Sequence, residues 1–279
     1  MPELPEVETI KNQLQEKIVG KKIKAVEIRL PRMIYDATAK EFEKKVTGAK
    51  IKGIDRRAKL LIIRLFNGYS LVIHLKLTGQ LIFIGNWKLE IGDLKNYTHL
   101  VYHFTDRSSL LHNDLRQFGW VKLIKTDELE KYFQKENFGP EPLDKNFTLE
   151  KFKRQLARRG GGKIKPLLMD QKFIAGIGNV YAQEVCWCAK ILPTRIVKTL
   201  KEKEISDLYD YLLKILKESI KYRGTSVDAY VDTEGKQGDY VPKLKVYDRE
   251  GRSCSRCRAK IKKMTLAGRG TYFCQNCQK

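Results

Sequence analysis

Residues 254–277 read CSRCRAKIKKMTLAGRGTYFCQNC, which is two Cys-x2-Cys pairs separated by sixteen residues. Each pair can form a metal-binding knuckle, and a hairpin between the pairs brings four thiolates into the tetrahedral arrangement that zinc prefers. The turn Gly268-Arg269-Gly270 between two β-type runs supplies that hairpin. The pattern therefore predicts one structural zinc ion in a C-terminal β-hairpin zinc finger, bound by Cys254, Cys257, Cys274 and Cys277.

A redox or disulfide role is the alternative for these four cysteines. Disulfide frameworks belong to secreted chains, and the first residues lack the charged region and apolar run of a signal peptide. Zinc is therefore the favoured interpretation, and a cytosolic location follows. Arg269 then lies at the hairpin tip, where flanking glycines allow close backbone approach to a ligand. A solvated tip is the alternative for that arginine.

The charge balance indicates a polymeric anion as the partner. Among 279 residues, 55 are Lys or Arg and 33 are Asp or Glu, which gives a formal net charge of +22. A positive field of this breadth favours nucleic acid. A basic protein of the membrane surface is the alternative, but no apolar run approaches the ~20 residues of a membrane span.

The N-terminal half reads as a helix followed by a β-sandwich. Apolar residues recur at helical spacing from Val7 to Ile18, and Gly20 ends that pattern. Eight short β-type runs separated by turn residues then predict two packed sheets. These runs are Ile23–Leu30, Ile51–Ile54, Leu60–Leu65, Ser70–Leu75, Leu81–Ile84, Thr98–Phe104, Ser109–Leu111 and Trp120–Ile124.

The C-terminal half reads as helical after the stiff connector Gly139–Pro142. We expect an α+β multidomain chain with a catalytic helix and sandwich (1–135), a linker (136–148), a helical domain (149–240) and a zinc finger (241–279). Arg223–Tyr240 lacks periodicity and is polar, so it predicts a long functional loop. The predicted helices are Leu149–Arg158, Ile164–Asp170, Asn179–Ala189 and Lys201–Tyr222.

The first residues, Met1-Pro2-Glu3-Leu4-Pro5-Glu6, suit a well-capped helix start, because proline and acidic residues are favoured there. They also allow covalent chemistry. Removal of Met1 would make Pro2 a free secondary amine at the positive end of a helix, which disfavours the protonated form. Glu3 would then lie close enough to move protons for that nucleophile.

Seven blocks of sequence, in order along nearly the whole chain, resemble the bacterial formamidopyrimidine-DNA glycosylases, which remove oxidised purines such as 8-oxoguanine. Any one block is modest support, but seven in the same order leave little room for accident. The blocks are Pro2–Thr9, Arg56–Lys59, His74–Gly79, Asp114–Gly119, Gly139–Leu143, Ala175–Tyr181 and Ala267–Thr271.

The resemblance implies a fold and a mechanism. The helical domain would be a helix-two-turn-helix DNA-binding domain. Pro2 would attack C1′ of the damaged nucleotide, expel the base and leave a Schiff base, whose β- and δ-elimination cut the strand on both sides of the sugar. Glu3 would be the acid/base residue, Glu6 a second carboxylate of the site, and Lys59 the family lysine near the lesion. Without the resemblance, Lys59 would be read as a cation at a strand edge.

The resemblance also assigns residues that handle the DNA. Base chemistry requires extrusion of the nucleotide from the duplex, and Leu77, Arg116 and Phe118 match the family trio that fills the gap. Leucine replaces the family's methionine at residue 77, and it can still act as an apolar wedge. The bare sequence favours core positions for Leu77 and Phe118 and a surface charge for Arg116. His74 matches a position near backbone phosphates, although a structural histidine is the alternative.

Phosphate contacts around the flipped nucleotide are implied for Lys165, Asn179 and Arg269, with Tyr247 as a further candidate. Asn179 follows a glycine turn and begins a helix, which favours a phosphate, although a plain helix cap explains it nearly as well. A phosphate loop of the nucleotide-binding type is excluded, because Gly160–Lys163 follows a helix rather than a strand.

In the family, a loop matching Arg223–Tyr240 folds over the extruded base and reads it mainly with backbone groups. The matching stretch here contains Thr225, Val227, Asp228 and Tyr230. The family often has arginine where this chain has Asp228, so the preference among damaged bases is open.

Two other functions remain as alternatives. An endonuclease VIII-type glycosylase for oxidised pyrimidines is favoured slightly by Leu77, whereas Leu4, Phe118 and the full-length loop favour oxidised purines. A noncatalytic zinc-dependent DNA-binding protein would explain the charge and the cysteines, but not the acidic start of the chain. We expect a monomer that acts on damaged double-stranded DNA in the bacterial cytosol, associated with the nucleoid and with no membrane partner.

Overall fold

The computed structural model describes residues 1–85 and 95–279. The chain divides into two compact units, Met1–Glu136 with Tyr222–Val241, and Asn137–Lys221 with Pro242–Lys279. The predicted boundaries placed residues 223–240 with the helical domain, whereas the structure groups them with the sandwich. This segment groups with the sandwich because it forms hydrogen bonds with the first helix; for example, the N–H of Thr233 donates to Oε1 of Gln13.

Helix α1 (Leu4–Ile18) opens the first unit. Pro5 lies in its first turn, and the carboxylate of Glu6 accepts a hydrogen bond from the N–H of Glu3 at 2.8 Å, so one donor that the helix cannot use is satisfied. The apolar face of α1 packs into the core of the unit. The amino end of the helix is therefore held in a fixed position.

Two sheets form most of the rest of this unit, as the β-type runs predicted. The four-stranded sheet has the order β1-β7-β8-β6, and the five-stranded sheet has the order β2-β9-β5-β4-β3. The strands are β1 (Ile23–Ile28), β2 (Ile34–Tyr35), β3 (Ile51–Arg57), β4 (Leu60–Leu65), β5 (Tyr69–His74), β6 (Gly79–Ile84), β7 (Thr98–Phe104), β8 (Ser109–Asp114) and β9 (Trp120–Lys125).

The sequence did not predict three of these elements. Strand β2 has two residues, too few for an alternation pattern. Helices α2 (Ala39–Val46) and α3 (Leu129–Glu136) were also missed. A signal for α2 was present, because Thr38 and Glu41 form a capping box in which each side chain bonds the backbone of the other.

The second unit is helical and ends in the predicted hairpin. Thr148 caps the first of its helices by accepting from the N–H of Lys151. The ends of each observed helix in this unit differ from the predicted ends by at most one residue. The elements are α4 (Leu149–Ala157), α5 (Ile164–Met169), α6 (Asn179–Cys188), α7 (Glu202–Lys221), β10 (Lys262–Leu266) and β11 (Arg269–Phe273).

Within the ranges 1–85 and 95–279, no helix combines the length and the apolar character that crossing a membrane requires.

Candidate active site and nucleic-acid interface

The amino end of α1 gathers buried carboxylates. Glu3 and Glu6 are each 2% exposed, and Pro2 is buried beside them. Besides its bond from Glu3, Glu6 accepts from the N–H of Thr225 at 2.8 Å. Gly224 has a φ of +83°, and a Cβ there would lie 2.9 Å from Oε1 of Glu6. Glu6 thus joins the start of the chain to the base of the long loop, so its contacts indicate positioning more than proton transfer.

The terminal amine lies at the tip of the same loop. The amine of Met1 donates to Oδ2 of Asp228 at 3.2 Å, and both groups are exposed. Asp228 therefore faces the chain terminus within this unit.

Lys59 lies at the tight turn between β3 and β4 and is 8% exposed. Ala58 adopts a φ of 54° to make this turn. Arg56 stabilises it, because its guanidinium donates to the carbonyl of Ala58 at 2.8 Å and to Glu8 at 2.7 Å. Burial raises the pKa of Glu8, but the hydrogen bonds and charges of Arg56 and Lys11 outweigh it and leave that pKa below its usual value.

His74 is neutral at physiological pH. Burial, assisted by the charges of Lys76 and Lys59, lowers its pKa to about 3. Its Nδ1 accepts from the N–H of Lys76 at 2.9 Å, so the ring proton must be on Nε2. His74 can therefore donate one hydrogen bond, as a contact to a phosphate oxygen would require.

Two loops, residues 75–78 and 115–119, meet at one edge of the four-stranded sheet; we call them the insertion loops. They meet because Gly79 and Asp114 are register partners in β6 and β8. The N–H of Arg116 donates to the hydroxyl of Thr78 at 2.9 Å. The guanidinium of Arg116 lies 4.9 Å from the ring centroid of Phe118, which is 52% exposed. The structure thus brings the loop of Leu77 beside the loop of Arg116 and Phe118.

Leu115 is a residue that the sequence analysis missed. It is 65% exposed and precedes Arg116 in the same insertion loop. Single exposed leucines are common on protein surfaces, so what distinguishes Leu115 is its place beside the exposed Phe118 in the same loop. Its only signal in the sequence was its place inside the Asp114–Gly119 block.

The long loop is anchored at several points rather than free. Tyr230 belongs to the hydrophobic core of the first unit, and its hydroxyl donates to the carbonyl of Arg223 at 3.0 Å. Gln80 donates to the carbonyl of Ala229 at 2.7 Å. Tyr230 therefore anchors the loop, whereas Val227 and Asp228 lie at its tip.

In the second unit, the predicted phosphate-contacting residues converge on strand β11. Lys165 is fully buried and donates to the hydroxyl of Thr271 at 2.9 Å. Asn179 donates to the carbonyl of Gly270 at 3.2 Å, and its own Oδ1 has no hydrogen-bond partner within the described ranges. Arg269 begins β11 and is exposed. The hairpin turn is Ala267-Gly268 rather than the predicted Gly268-Arg269-Gly270, because Arg269 already pairs with Leu266 in the ladder.

Two adjacent polar residues of α6 were missed by the sequence analysis. Gln183 accepts from the N–H of Tyr272 at 2.6 Å and donates to the carbonyl of Gly270 at 3.1 Å. Glu184 accepts from the N–H groups of residues 245–247, which fixes the backbone of Tyr247. Their signal was a pair of polar residues inside an otherwise apolar helix.

The four finger cysteines have the geometry of a metal site. Their sulfur atoms all lie within 4.8 Å of one another. Cys254 and Cys277 are 3.9 Å apart, and Cys257 and Cys274 are 3.4 Å apart. Zn–S bonds of about 2.3 Å in a tetrahedron place sulfurs about 3.8 Å apart. The cluster therefore fits one structural zinc ion, as predicted.

The comparisons with known proteins cover the whole chain. Family models match the formamidopyrimidine-DNA glycosylase N-terminal domain (1–121), its H2TH domain (138–231) and a zinc finger found in FPG and IleRS (253–279). The formamidopyrimidine-DNA glycosylase of Pelotomaculum thermopropionicum is 42% identical over all of this chain and 99% of its own length. That of Heliobacterium modesticaldum is 40% identical over the full length of both.

Solved structures agree. The complex of the Lactococcus lactis Fpg with DNA containing an abasic site has a TM-score of 0.91 at 39% identity and 99% coverage of both chains. A structure of MutM with DNA containing carbocyclic 8-oxo-G has a TM-score of 0.90 at 38% identity, with both chains fully covered. The chain therefore belongs to the formamidopyrimidine-DNA glycosylase family.

Proposed function

We propose that this protein is a base-excision repair enzyme that removes oxidised purines from double-stranded DNA and then cleaves the strand at the resulting abasic site. The observation that carries the proposal is the family match over the full length, which includes the acidic proline-bearing start, both insertion loops and the zinc finger. A noncatalytic DNA-binding protein would need neither the buried carboxylates nor the anchored loop.

The chemistry belongs to the amine at the start of α1. Once Met1 is removed, the amine of Pro2 attacks C1′ and the bond to the base breaks. The amine then loses its proton and the C1′–O4′ bond opens to give an iminium, from which β-elimination releases the 3′ phosphate and δ-elimination releases the 5′ phosphate. Glu3, which is buried and adjoins Pro2, is suited to transfer protons in these steps. Lys59, buried at its turn, adds a positive charge near the lesion.

DNA is held by separate groups in the two units. Leu77, Arg116 and Phe118 fill the space left by the extruded nucleotide. His74, Asn179, Tyr247 and Arg269 contact the backbone, and the fully buried Lys165 supports the strand of Arg269 through Thr271. The zinc ion contributes structure rather than chemistry, because four thiolates leave no open position for substrate.

Substrate choice belongs to the loop between Arg223 and Tyr240. Thr225, Val227 and Asp228 surround the space over the base, while Tyr230 anchors them. Leucine at residue 77 favours the second candidate, a glycosylase for oxidised pyrimidines. The protein acts as a single chain in the bacterial cytosol, where its DNA substrate is found.

Borohydride trapping tests the proposed chemistry. An amine that forms an iminium with an abasic site gives a stable covalent adduct when hydride reduces it. We expect the adduct to map to Pro2 in protein from which Met1 has been removed, and to be absent from N-acetylated protein. Pro2→Gly is the matched control, because glycine also offers a terminal amine and should still be trapped.

Normal trapping by protein that retains Met1 or is acetylated would rule out the terminal amine. A stronger preference for oxidised pyrimidines than for 8-oxoguanine would move the protein to the second candidate. Absence of strand cleavage with intact DNA binding would support the noncatalytic alternative.

A further inference from the structure

Asp114 is a buried carboxylate that the proposed chemistry does not use. It is the last residue of β8 and is 0% exposed. An ionised group in such a place is stabilised only when its oxygens are well supplied with hydrogen-bond donors. The identity of those donors indicates what the residue does.

The donors to Asp114 come from both insertion loops. Its Oδ1 accepts from the hydroxyl of Thr78 in the first loop and from the N–H of Arg116 in the second, the latter at 3.3 Å. Its Oδ2 accepts from the N–H of Gly119 at 2.6 Å. One carboxylate therefore bonds the loop of Leu77 and the beginning and end of the loop of Arg116 and Phe118.

Both loops have backbones that only a narrow set of residues can adopt. Lys76 and Gln117 have φ angles of 51° and 55°. A Cβ on Gly79 would lie 2.4 Å from the carbonyl oxygen of Leu75, and one on Gly119 would lie 2.9 Å from Oδ2 of Asp114. The two glycines let the chain approach itself closely around the carboxylate, so the loops form one hydrogen-bonded structure.

We propose that Asp114 is a positioning residue that couples the two insertion loops, so that Leu77, Arg116 and Phe118 enter the duplex as one preformed unit. The inference rests on the proposed function and deepens it. A preformed unit loses little conformational freedom on insertion, whereas two independent loops would each have to be ordered in the DNA. Asp114 therefore acts on extrusion of the nucleotide rather than on bond breakage.

Asp114→Asn is the test variant, because an amide keeps the shape but offers one accepting oxygen instead of two. Its NH2 group must face either Gly119 or the donors at Thr78 and Arg116. Thr78→Val removes one arm of the network and leaves Asp114 itself unchanged. Asp106→Asn is the matched control, since Asp106 accepts from the N–H and hydroxyl of Ser108 in another turn and bonds neither insertion loop.

The readout separates extrusion from chemistry. With 2-aminopurine beside 8-oxoguanine, stopped-flow fluorescence reports unstacking. We expect Asp114→Asn and Thr78→Val to slow this phase and base excision by about tenfold, the usual effect of one buried hydrogen bond. An 8-oxoguanine placed in an unpaired bulge is already unstacked and needs less extrusion, so the loss there should shrink to about twofold. Asp106→Asn should match the wild type on both substrates.

The loss in the double variant should be smaller than the product of the two single losses, because both substitutions break the same link. Equal losses on the paired and bulged substrates, with an unchanged fluorescence phase, would overturn the proposal. If Asp114→Asn does not fold, Thr78→Val with the same two substrates decides the matter. Failure of the wild type to excise any base would instead refute the proposed function.

Discussion

Arg116 and Arg269 are both exposed arginines on tight turns, one in each compact unit, and different forces fix their positions. The backbone N–H of Arg116 donates to the hydroxyl of Thr78 and to the buried carboxylate of Asp114, which also accepts from the N–H of Gly119. Arg269 follows a two-residue turn in which Ala267 and Gly268 have φ angles of 50° and 70°, the conformation that suits the twist of a hairpin. The four clustered cysteines, two before and two after the hairpin in the sequence, hold its base together.

The difference shows how a loop can be fixed with or without a core. The insertion loops border a sandwich whose two sheets supply a large apolar core, so hydrogen bonds are enough to set their shape. The finger has a small cluster of buried residues, and a metal must replace the missing apolar burial.

Loss of zinc should have the largest effect. Cys274→Ser should abolish metal binding and release the hairpin, because structural zinc contributes on the order of 10 kcal/mol in finger peptides. We expect DNA affinity to fall about a hundredfold or more while the first unit stays folded. Metal content, DNA binding and urea unfolding measure this. Cys188→Ser is the control, since Cys188 is not among the four candidate zinc ligands; metal-free protein that bound DNA normally would contradict the prediction.

Acid should destabilise the first unit, because His112 in β8 is fully buried. Burial is the main cause that lowers the pKa of His112 to about 4. The unfolded chain binds the proton near pH 6.5, so this stabilising contribution is present above that pH and is lost as pH falls toward 4.

Between pH 7 and pH 5 the loss amounts to about 2 kcal/mol. Neither ring nitrogen of His112 has a hydrogen-bond partner within the described ranges. His112→Leu should therefore be more stable at neutral pH and should flatten the pH dependence of urea unfolding. A variant with the same pH dependence as the wild type would show that His112 is not the group responsible.

Substitution of Gln183 should disturb the position of Arg269 and lower DNA affinity by an intermediate amount. Gln183→Met keeps the volume but leaves the N–H of Tyr272 and the carbonyl of Gly270 without this partner. We expect the affinity for abasic-site DNA to fall about tenfold with zinc still bound. Gln134→Met, on the exposed face of α3, serves as the control. Unchanged affinity would mean that zinc alone positions Arg269.

Removal of Arg269 itself should be milder and should depend on salt. Arg269→Ala should lower the slope of log affinity against log salt concentration by about one, the value for a single phosphate contact. An unchanged slope in filter-binding titrations would place the side chain away from the backbone.

Asp228→Arg should have the smallest effect. The side chain of Asp228 is exposed at the loop tip and faces the chain terminus, so its contact contributes little in water. Excision of 8-oxoguanine should change by about twofold or less. A large loss would assign the side chain a direct part in reading the base.

Much of the fold could be predicted because it depends on local patterns. The cysteine spacing, the apolar period of α1 and the turn residues between strands are each contained in a few neighbouring positions. Strand β2 was not predicted because two residues are too few to show an alternating pattern.

The residues of the candidate site could be grouped from the sequence only where the family resemblance indicated which distant residues act together. Glu6 and Thr225 are 219 residues apart, Gln183 and Tyr272 are 89 apart, and no local pattern encodes such pairs. Tyr230 was predicted as part of the lesion-capping loop, but the burial of its side chain was not, because no alternation pattern marks an inward tyrosine in an irregular loop.

Arg56 links the two segments that carry the candidate catalytic residues. Its planar guanidinium donates in two fixed directions, toward Glu8 on α1 and toward the carbonyl before Lys59. Lysine could not reproduce that fork, because an ammonium group is a point charge on a flexible stem. Arg56 thus ties the helix that begins beside Pro2 to the turn that holds Lys59, so a substitution at residue 56 would shift the two segments relative to each other.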